Sequence, residues 1–335
     1  MKIIILMMSC NQKHFKIEGA EMKKVFNKHI KKLHLDDEVF VYDYVGDADE
    51  LHEENNTIFC TAGDNLMSTY HKTIECLNYI DKNIEYDYIF RTNTSTFINI
   101  ELMYNLIKKI DEQKLGDIVY GTEIISVPNT FCPRLNDFYL RGNGLILSKN
   151  KIKLILKHRF DFMNSDDYPN AGMSYHVYEH YCTAYIDDIC IGTVLNTINC
   201  KKYSWTEIPE NCLRVFKHAW YDCGTPWKQY DVDNGACPWN NLDLDFEFLK
   251  QFVTIQIKSY KIEEKDRTRY DIKKIKKLSN VFLNKTNNDI EQTVNENMEF
   301  TPSCKCFIGA WRKTPYMPIS EVLMYINIHR SEEYE

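Results

Sequence analysis

Two aspartates, Asp187 and Asp188, stand side by side at the head of the segment "DDICIGTVLNT". Adjacent acids at a helix start suit the positive end of the helix dipole, so capping and solvation give one sufficient reason for them. Aimed at a cleft, the same pair would be available for chemistry. A second cluster, "FRTNTSTFIN" (90–99), runs out of an apolar stretch through Arg91 and turns at Asn93, Thr94 and Ser95, with no carboxylate among them. That turn supplies neutral oxygens only, and hard divalent cations prefer carboxylates, so tight metal binding is not expected there. His176 and His180 are four apart and close to Glu179, a spacing that would suit a metal on a helix. Exposed histidines on a Tyr-rich loop are the simpler account. "CKC" at Cys304 and Cys306 is too short for a zinc knuckle and has no matching second pair.

The elements that must position these residues alternate. "KIIILMMS" is an apolar run of strand length, and "GAEMKKVFNKHIKKL" then shows helical spacing at Met22, Val25, Phe26, Ile30 and Leu33. "DEVFVYDYVG", which carries Asp43, and "NTIFCTAG" are short strands rich in β-branched and aromatic residues. "MSTYHKTIECLNYIDKN" predicts a helix with Ile74, Leu77 and Ile80 on one stripe. "YDYIFRTN" predicts a fourth strand, and "NIELMYNLIKKIDEQ" a helix capped by Asn99. "DIVYGTEI" follows as a strand. "FYLRGNGLILSKNKIKLILKH" reads as a Gly-rich turn, a short strand and a helix opened by Ser148. Residues 201–242 read as loop, "QFVTIQIKSY" as a late strand, and the Asn-rich stretch 284–297 as a linker.

This alternation predicts an α/β fold with a mostly parallel central sheet covered on both faces. Ligands of such sheets bind beyond the carboxyl ends of strands, which singles out the turns after Met8, Val41, Cys60 and Phe90. No G-x-G-x-x-G follows the first strand, and P-loop and Ser-elbow motifs are missing from the sequence. Dinucleotide-binding, ATPase and hydrolase readings therefore lose their main support.

A chain of 335 residues holds one large domain, or one domain with an appended segment. A formal net charge of −7 argues against nucleic acid as a partner, because such binders need a basic face. The Lys- and Arg-rich stretch 261–285 is read as a solvated helix face. The twelve cysteines lie mostly in apolar segments, which suits a reduced, intracellular protein. The opening "MKIIILMMSC" is too short in its apolar run for a secretory signal, and no run of 18 apolar residues would span a membrane. The expected location is the cytoplasm, bacterial or that of a host if the chain is viral.

Four segments, in order, resemble the β-1,3-galactosyltransferase and Fringe-like glycosyltransferases and their smaller bacterial or viral relatives. "GDNLMSTYHKT" (63–73) resembles that family's D-x-Y-x-N-L-T-x-K-T segment at Asp64, Lys72 and Thr73. "YIFRTNTSTFIN" resembles the strand carrying its D-D-D triplet, with Phe97 and Asn99 matching the residues that follow. "RGNGLILSKN" is similar to its S-G-x-G-Y-x-L-S turn at Gly142, Gly144 and Ser148. "DDICIG" is similar to its E-D-V-x-x-G motif at Asp187, Asp188 and Gly192.

The resemblance implies a GT-A (Rossmann-like) glycosyltransferase fold over residues 1–260. Residues 261–335 would form a basic helix and extension packing on or covering that domain. It implies transfer of a sugar from a nucleotide-diphosphate donor, a UDP-sugar, to a glycan hydroxyl with inversion, and an Asp base, Asp188 ahead of Asp187. Gly142, Asn143 and Gly144 would line the substrate. Asp43, Asp64, Lys72, Arg91, Asn93, Ser95, Lys258 and Arg267 would face the donor nucleotide. The departure is the triplet, here Asn93-Thr94-Ser95. Either the four cations replace the metal's charge, or Mn²⁺ or Mg²⁺ binds at a non-standard site with ligands such as Asp64. "FKHAWYDCGTPWKQY" offers Trp220 and Trp227 for stacking on sugars or, by default, for the core. Two alternatives stand beside this: a catalytically inactive glycan- or nucleotide-binding protein of the same fold, and a retaining transferase.

Overall fold

Ile3–Met8 forms β1, and both of its faces are buried. Ile3, Ile5 and Met7 enter one apolar core and Ile4 and Leu6 the other, which is why the segment is apolar without alternation. The computed structural model describes residues 1–65, 68–122, 124–126, 138–140, 142–160, 173–177, 180–184, 187–198, 213–220, 246–257 and 264–300.

After β1 come α1 (Lys13–Lys32), β2 (Val39–Val45), β3 (His52–Glu54), β4 (Thr57–Phe59) and α2 (Thr69–Asn83). They are followed by β5 (Tyr88–Asn93), β6 (Thr96–Ile98), α3 (Ile100–Glu112), β7 (Val119–Gly121) and β8 (Ile124–Ser126). The middle holds β9 (Phe138–Leu140), β10 (Leu145–Ser148), α4 (Lys149–His158), β11 (Met173–Val177), β12 (His180–Ala184) and α5 (Asp187–Ile198). The last elements are β13 (Leu213–Val215), β14 (His218–Trp220), α6 (Phe246–Leu249), β15 (Thr254–Gln256), α7 (Glu264–Asn284) and α8 (Ile290–Met298).

An eight-stranded sheet runs in the order β13-β7-β10-β5-β1-β2-β4-β3. Only β10 and β3 oppose the common direction, so the central sheet is mostly parallel, as expected. Helices α1, α3, α7 and α8 supply the core on one face, and α2, α4 and α5 the core on the other. A smaller sheet, β14-β15-β6, joins the first of these cores. Both anticipated caps form: Asn99 Oδ1 accepts from Leu102 N, and Ser148 Oγ from Lys151 N, each at 3.3 Å. No helix among the described residues is long and apolar enough to cross a membrane.

Several elements differ from the sequence reading. The segment before β4 is a hairpin arm, with Asn55 and Asn56 both at positive φ (53° and 59°), the pair that a two-residue type I′ turn requires. The turn after β5 contains β6, and the stretch 201–242 contains β13, which pairs with β7 at the sheet edge. His176 and His180 lie on two antiparallel strands, not on one helix, so the four-residue spacing does not put them on a common helical face. Glu179, Trp227, Cys304 and Cys306 lie outside the described residues, as does residue range 301–335. The Asn-rich stretch is no linker: it contains α8, whose Val294, Asn297 and Met298 are buried. Asn297 Nδ2 donates to the Gln251 carbonyl (3.0 Å) and its Oδ1 accepts from Lys217 N (2.8 Å), which joins α8 to two other segments.

Candidate active site

β1 and β5 are parallel neighbours and end together, Met8 beside Asn93. β10 enters antiparallel against β5, so the turn that precedes it, Gly142-Asn143-Gly144, lies at the carboxyl ends of β1 and β5. α5 begins with Asp187 on the face that Arg91 reaches. Four segments that are distant in sequence therefore converge at one end of the sheet, the end where ligands of such sheets bind.

Arg91 is the centre of this convergence. Its Nη2 forms an ion pair with Asp187, its Nη1 donates to the Gly142 carbonyl, and Met8 Sδ lies 3.4 Å from Nη2. Burial by itself would lower the proton affinity of the guanidinium, but Asp187 first, then Tyr44 and Asp188, overcome this, and the pKa moves up. Asp187 is anchored further by its own N–H, which donates to Thr69 Oγ1 at 3.2 Å. Asp188, only half-buried, accepts on Oδ2 from the Gly142 N–H at 3.1 Å. Gly142 has to be glycine: a Cβ there would lie 2.4 Å from Arg91 Nη1.

The triplet turn is closed on itself. Asn93 Oδ1 accepts from Ser95 N (3.1 Å) and Ser95 Oγ (2.9 Å), and the single proton of Thr96 Oγ1 is shared between Asn93 Oδ1 (2.9 Å) and Gln256 Oε1 (3.0 Å). Gln256 Nε2 on β15 donates to Ser95 Oγ at 2.8 Å. Asn93 Nδ2 donates to Asn143 Oδ1 at 3.2 Å, and Thr92 Oγ1 donates to the Asn143 carbonyl at 2.9 Å. Thr94, Ser95 and Thr96 are buried.

Lys72 and Asp64 are given to each other. Lys72 Nζ donates to Asp64 Oδ1 (2.6 Å) and to the Ser9 carbonyl (2.7 Å), with both side chains almost wholly buried. Asp64 also accepts from Gly46 N at 3.0 Å and from Asn11 N. This latch ties together the turns after β1, β2 and β4. Asp43 is likewise engaged, by Lys23 Nζ at 2.6 Å and Thr57 Oγ1 at 2.7 Å. Arg267 sits on α7 with Nε 3.5 Å from Asp271 and its guanidinium over the Phe15 ring of α1. That places it on the opposite face of the sheet from Asp187. Lys258 lies outside the described residues.

A divalent cation does not fit the residues the sequence suggested for it. The oxygens of Asn93 and Ser95 are neutral and spent on internal hydrogen bonds, and those of Asp64 serve Lys72 and two backbone N–H groups. Among the described residues no group of three or more His, Cys, Asp or Glu side chains is placed to hold a metal. Sequence reasoning missed Gln256 and Thr96. The signal for Gln256 was present: a lone amide inside the apolar run "FVTIQI".

No protein-family model matches the chain, and neither does any curated protein. Among solved structures, the chain is similar to a glycosyltransferase involved in the glycosylation of the major capsid of PBCV-1. That match has 10% identity and a TM-score of 0.39, covering 81% of this chain and 99% of that one. It is also similar to the galactosyltransferase LgtC in complex with donor and acceptor sugar analogs, at 11% identity and a TM-score of 0.40, covering 88% of this chain and 100% of that one. Both likenesses are loose, and the α/β assignment rests on the sheet order and register themselves.

Proposed function

We propose that the chain is a glycosyltransferase of the GT-A kind, which moves a sugar from a UDP-sugar to a glycan hydroxyl with inversion, and that Asp188 is the base. The observation that carries this reading is the division of labour within the acidic pair. Asp187 is buried and neutralises Arg91, whereas Asp188 is half-buried at the carboxyl ends of the strands. A base needs an accessible carboxylate near the reacting hydroxyl, and of the pair it is Asp188 that keeps exposed surface, with its Oδ2 held by the backbone N–H of Gly142.

In this reading the acceptor hydroxyl gives its proton to Asp188 as its oxygen attacks the anomeric carbon. The bond to the diphosphate breaks, and its electron pair leaves with the diphosphate. Positive charge must stabilise that leaving group. Arg91 and Lys72 are each neutralised by a buried aspartate, so they act by shaping the site rather than by holding the phosphates. Lys258 is the remaining candidate for that charge; Arg267 is itself paired with a buried aspartate, Asp271, across the sheet from Asp187.

Calorimetric titration of UDP, UDP-glucose and UDP-galactose, with Mn²⁺ and with EDTA, tests the donor. Binding that survives EDTA supports the reading, and binding that requires Mn²⁺ overturns its metal-free form. Loss of turnover in Asp188→Asn, with UDP-sugar still bound, assigns the base. Binding by the wild-type chain without turnover on any glycan would favour a non-catalytic binding protein, and failure to bind any of the three nucleotides would sink the UDP-sugar assignment.

A further inference from the structure

The amides around the triplet turn form a chain with a direction. Gln256 Nε2 donates to Ser95 Oγ (2.8 Å), which occupies a lone pair of that hydroxyl and turns its proton toward Asn93 Oδ1 (2.9 Å). The Ser95 N–H and Thr96 Oγ1 reach the same oxygen. With its carbonyl end fixed by these donors, Asn93 must present Nδ2 to Asn143, whose Oδ1 accepts at 3.2 Å. A side-chain amide has one oxygen and one NH₂ group, so the remaining end of Asn143 is a donor. Asn143 is only 8% exposed, and its Nδ2 has no acceptor among the described residues. A buried donor in that state costs free energy until an acceptor arrives, and such groups in folded proteins call for an explanation.

From this chain we infer that Asn143 Nδ2 is a specificity contact that donates to a hydroxyl oxygen of the bound sugar, with Asn93, Ser95 and Gln256 as positioning residues that set its polarity. The inference rests on the glycosyltransferase reading for the identity of the ligand. The amide chain itself does not. A neutral oxygen is favoured over a phosphate oxygen because the neighbouring Gly142 N–H holds Asp188 Oδ2 at 3.1 Å. An anionic oxygen beside Asn143 would meet that carboxylate's field. A hydroxyl oxygen carries no charge and keeps a proton of its own to donate.

Two substitutions reverse the polarity by different routes. In Asn143→Asp an acceptor oxygen replaces Nδ2 directly. In Asn93→Asp, the Asp Oδ1 keeps the two Ser95 donors while Oδ2 faces Asn143, whose amide then turns to donate to it and presents Oδ1 to the ligand instead. The flip exchanges one unpaired end of Asn143 for the other, Nδ2 finding an acceptor and Oδ1 losing its donor, so the variant is read by binding and not by its melting temperature. Calorimetry with UDP, UDP-galactose and lactose reads the ligand side. Both variants should lose about tenfold or more for the sugar-bearing probe, the worth of one hydrogen bond, with UDP unchanged. Loss confined to UDP-galactose assigns the hydroxyl to the transferred sugar, and loss confined to lactose assigns it to the acceptor. Equal weakening of UDP, or no weakening of either sugar probe, overturns the hydroxyl contact. Sugar binding weakened in Asn143→Asp but unchanged in Asn93→Asp overturns the amide chain. If the wild-type chain binds none of the probes, the glycosyltransferase reading and the sugar contact fail together, whereas wild-type binding with both variants unchanged overturns the contact alone.

Discussion

Arg91 and Asp187 lie 96 residues apart in sequence and form an ion pair with side chains 1% and 5% exposed. Two charges so deeply buried are held by each other, and removing one leaves the other without compensation. Asp187→Asn should therefore destabilise the protein by about 3–5 kcal/mol. Asp188→Asn changes a partly exposed carboxylate and should leave urea unfolding within about 1 kcal/mol of the wild type while abolishing turnover. Urea melts of the two variants, set beside their turnover, check this. Equal loss of stability in both would remove the division of labour between the two acids.

Gly142 gives a second handle on the same pair. A methyl group placed there would sit 2.4 Å from Arg91 Nη1, inside any permitted contact, so the guanidinium or the turn must shift. Overpacking of this kind costs about 1–3 kcal/mol. Because the Gly142 N–H also holds Asp188, Gly142→Ala should lower kcat as well as stability. A stable variant with unchanged kcat would show that the turn is not what positions Asp188.

The Lys72–Asp64 latch makes a third prediction. Lys72→Met leaves the Asp64 carboxylate buried with, among the described residues, the N–H groups of Gly46 and Asn11 as its donors, at a cost of about 3–5 kcal/mol. Adding Asp64→Asn should return part of that loss, since an amide oxygen still accepts from both N–H groups and carries no charge. Thermal melts of the single and double variants measure the recovery. A double variant no more stable than Lys72→Met alone would mean that Lys72 acts through the Ser9 carbonyl rather than through Asp64.

The central sheet was legible because its strands announce themselves in one dimension. An apolar run such as Ile3–Met7 has few other uses, and Asn99 and Ser148 mark helix starts through local chemistry. The residues of the site were legible one at a time, but their pairing was not. Nothing in "YIFRTN" says that Arg91 will meet Asp187 rather than a phosphate, since that contact depends on how α5 docks against β5. Short strands such as β6 and β13 escaped for the same reason: three residues of pairing are fixed by the neighbour they meet. The Asn-rich stretch misled because its composition suits a linker. Asn297 is instead held by the main-chain groups of Gln251 and Lys217, partners that composition does not reveal.

His29 makes stability depend on pH in a direction the structure fixes. It is 5% exposed on α1, hydrogen-bonded through Nε2 to Ser279 Oγ of α7 at 3.1 Å, with the Phe97 ring edge-on at 5.8 Å. Burial first, then the charges of Lys32 and Lys28, lower its pKa from 6.5 to about 4, against a smaller opposing effect of Ser279. The folded protein thus keeps the ring neutral where the unfolded chain would protonate it. Between pH 6.5 and about 4 the unfolded state binds more protons, so stability falls as pH falls through this window and is fully retained above it. A displacement of that size amounts to on the order of 3 kcal/mol at the acid end. His29→Gln keeps a partner for Ser279 and cannot titrate. Urea unfolding at three pH values across the window should show the wild-type and variant curves converging as pH falls. Parallel curves would mean that His29 titrates alike in the folded and unfolded chain, and that the α1–α7 interface admits water where the packing excludes it.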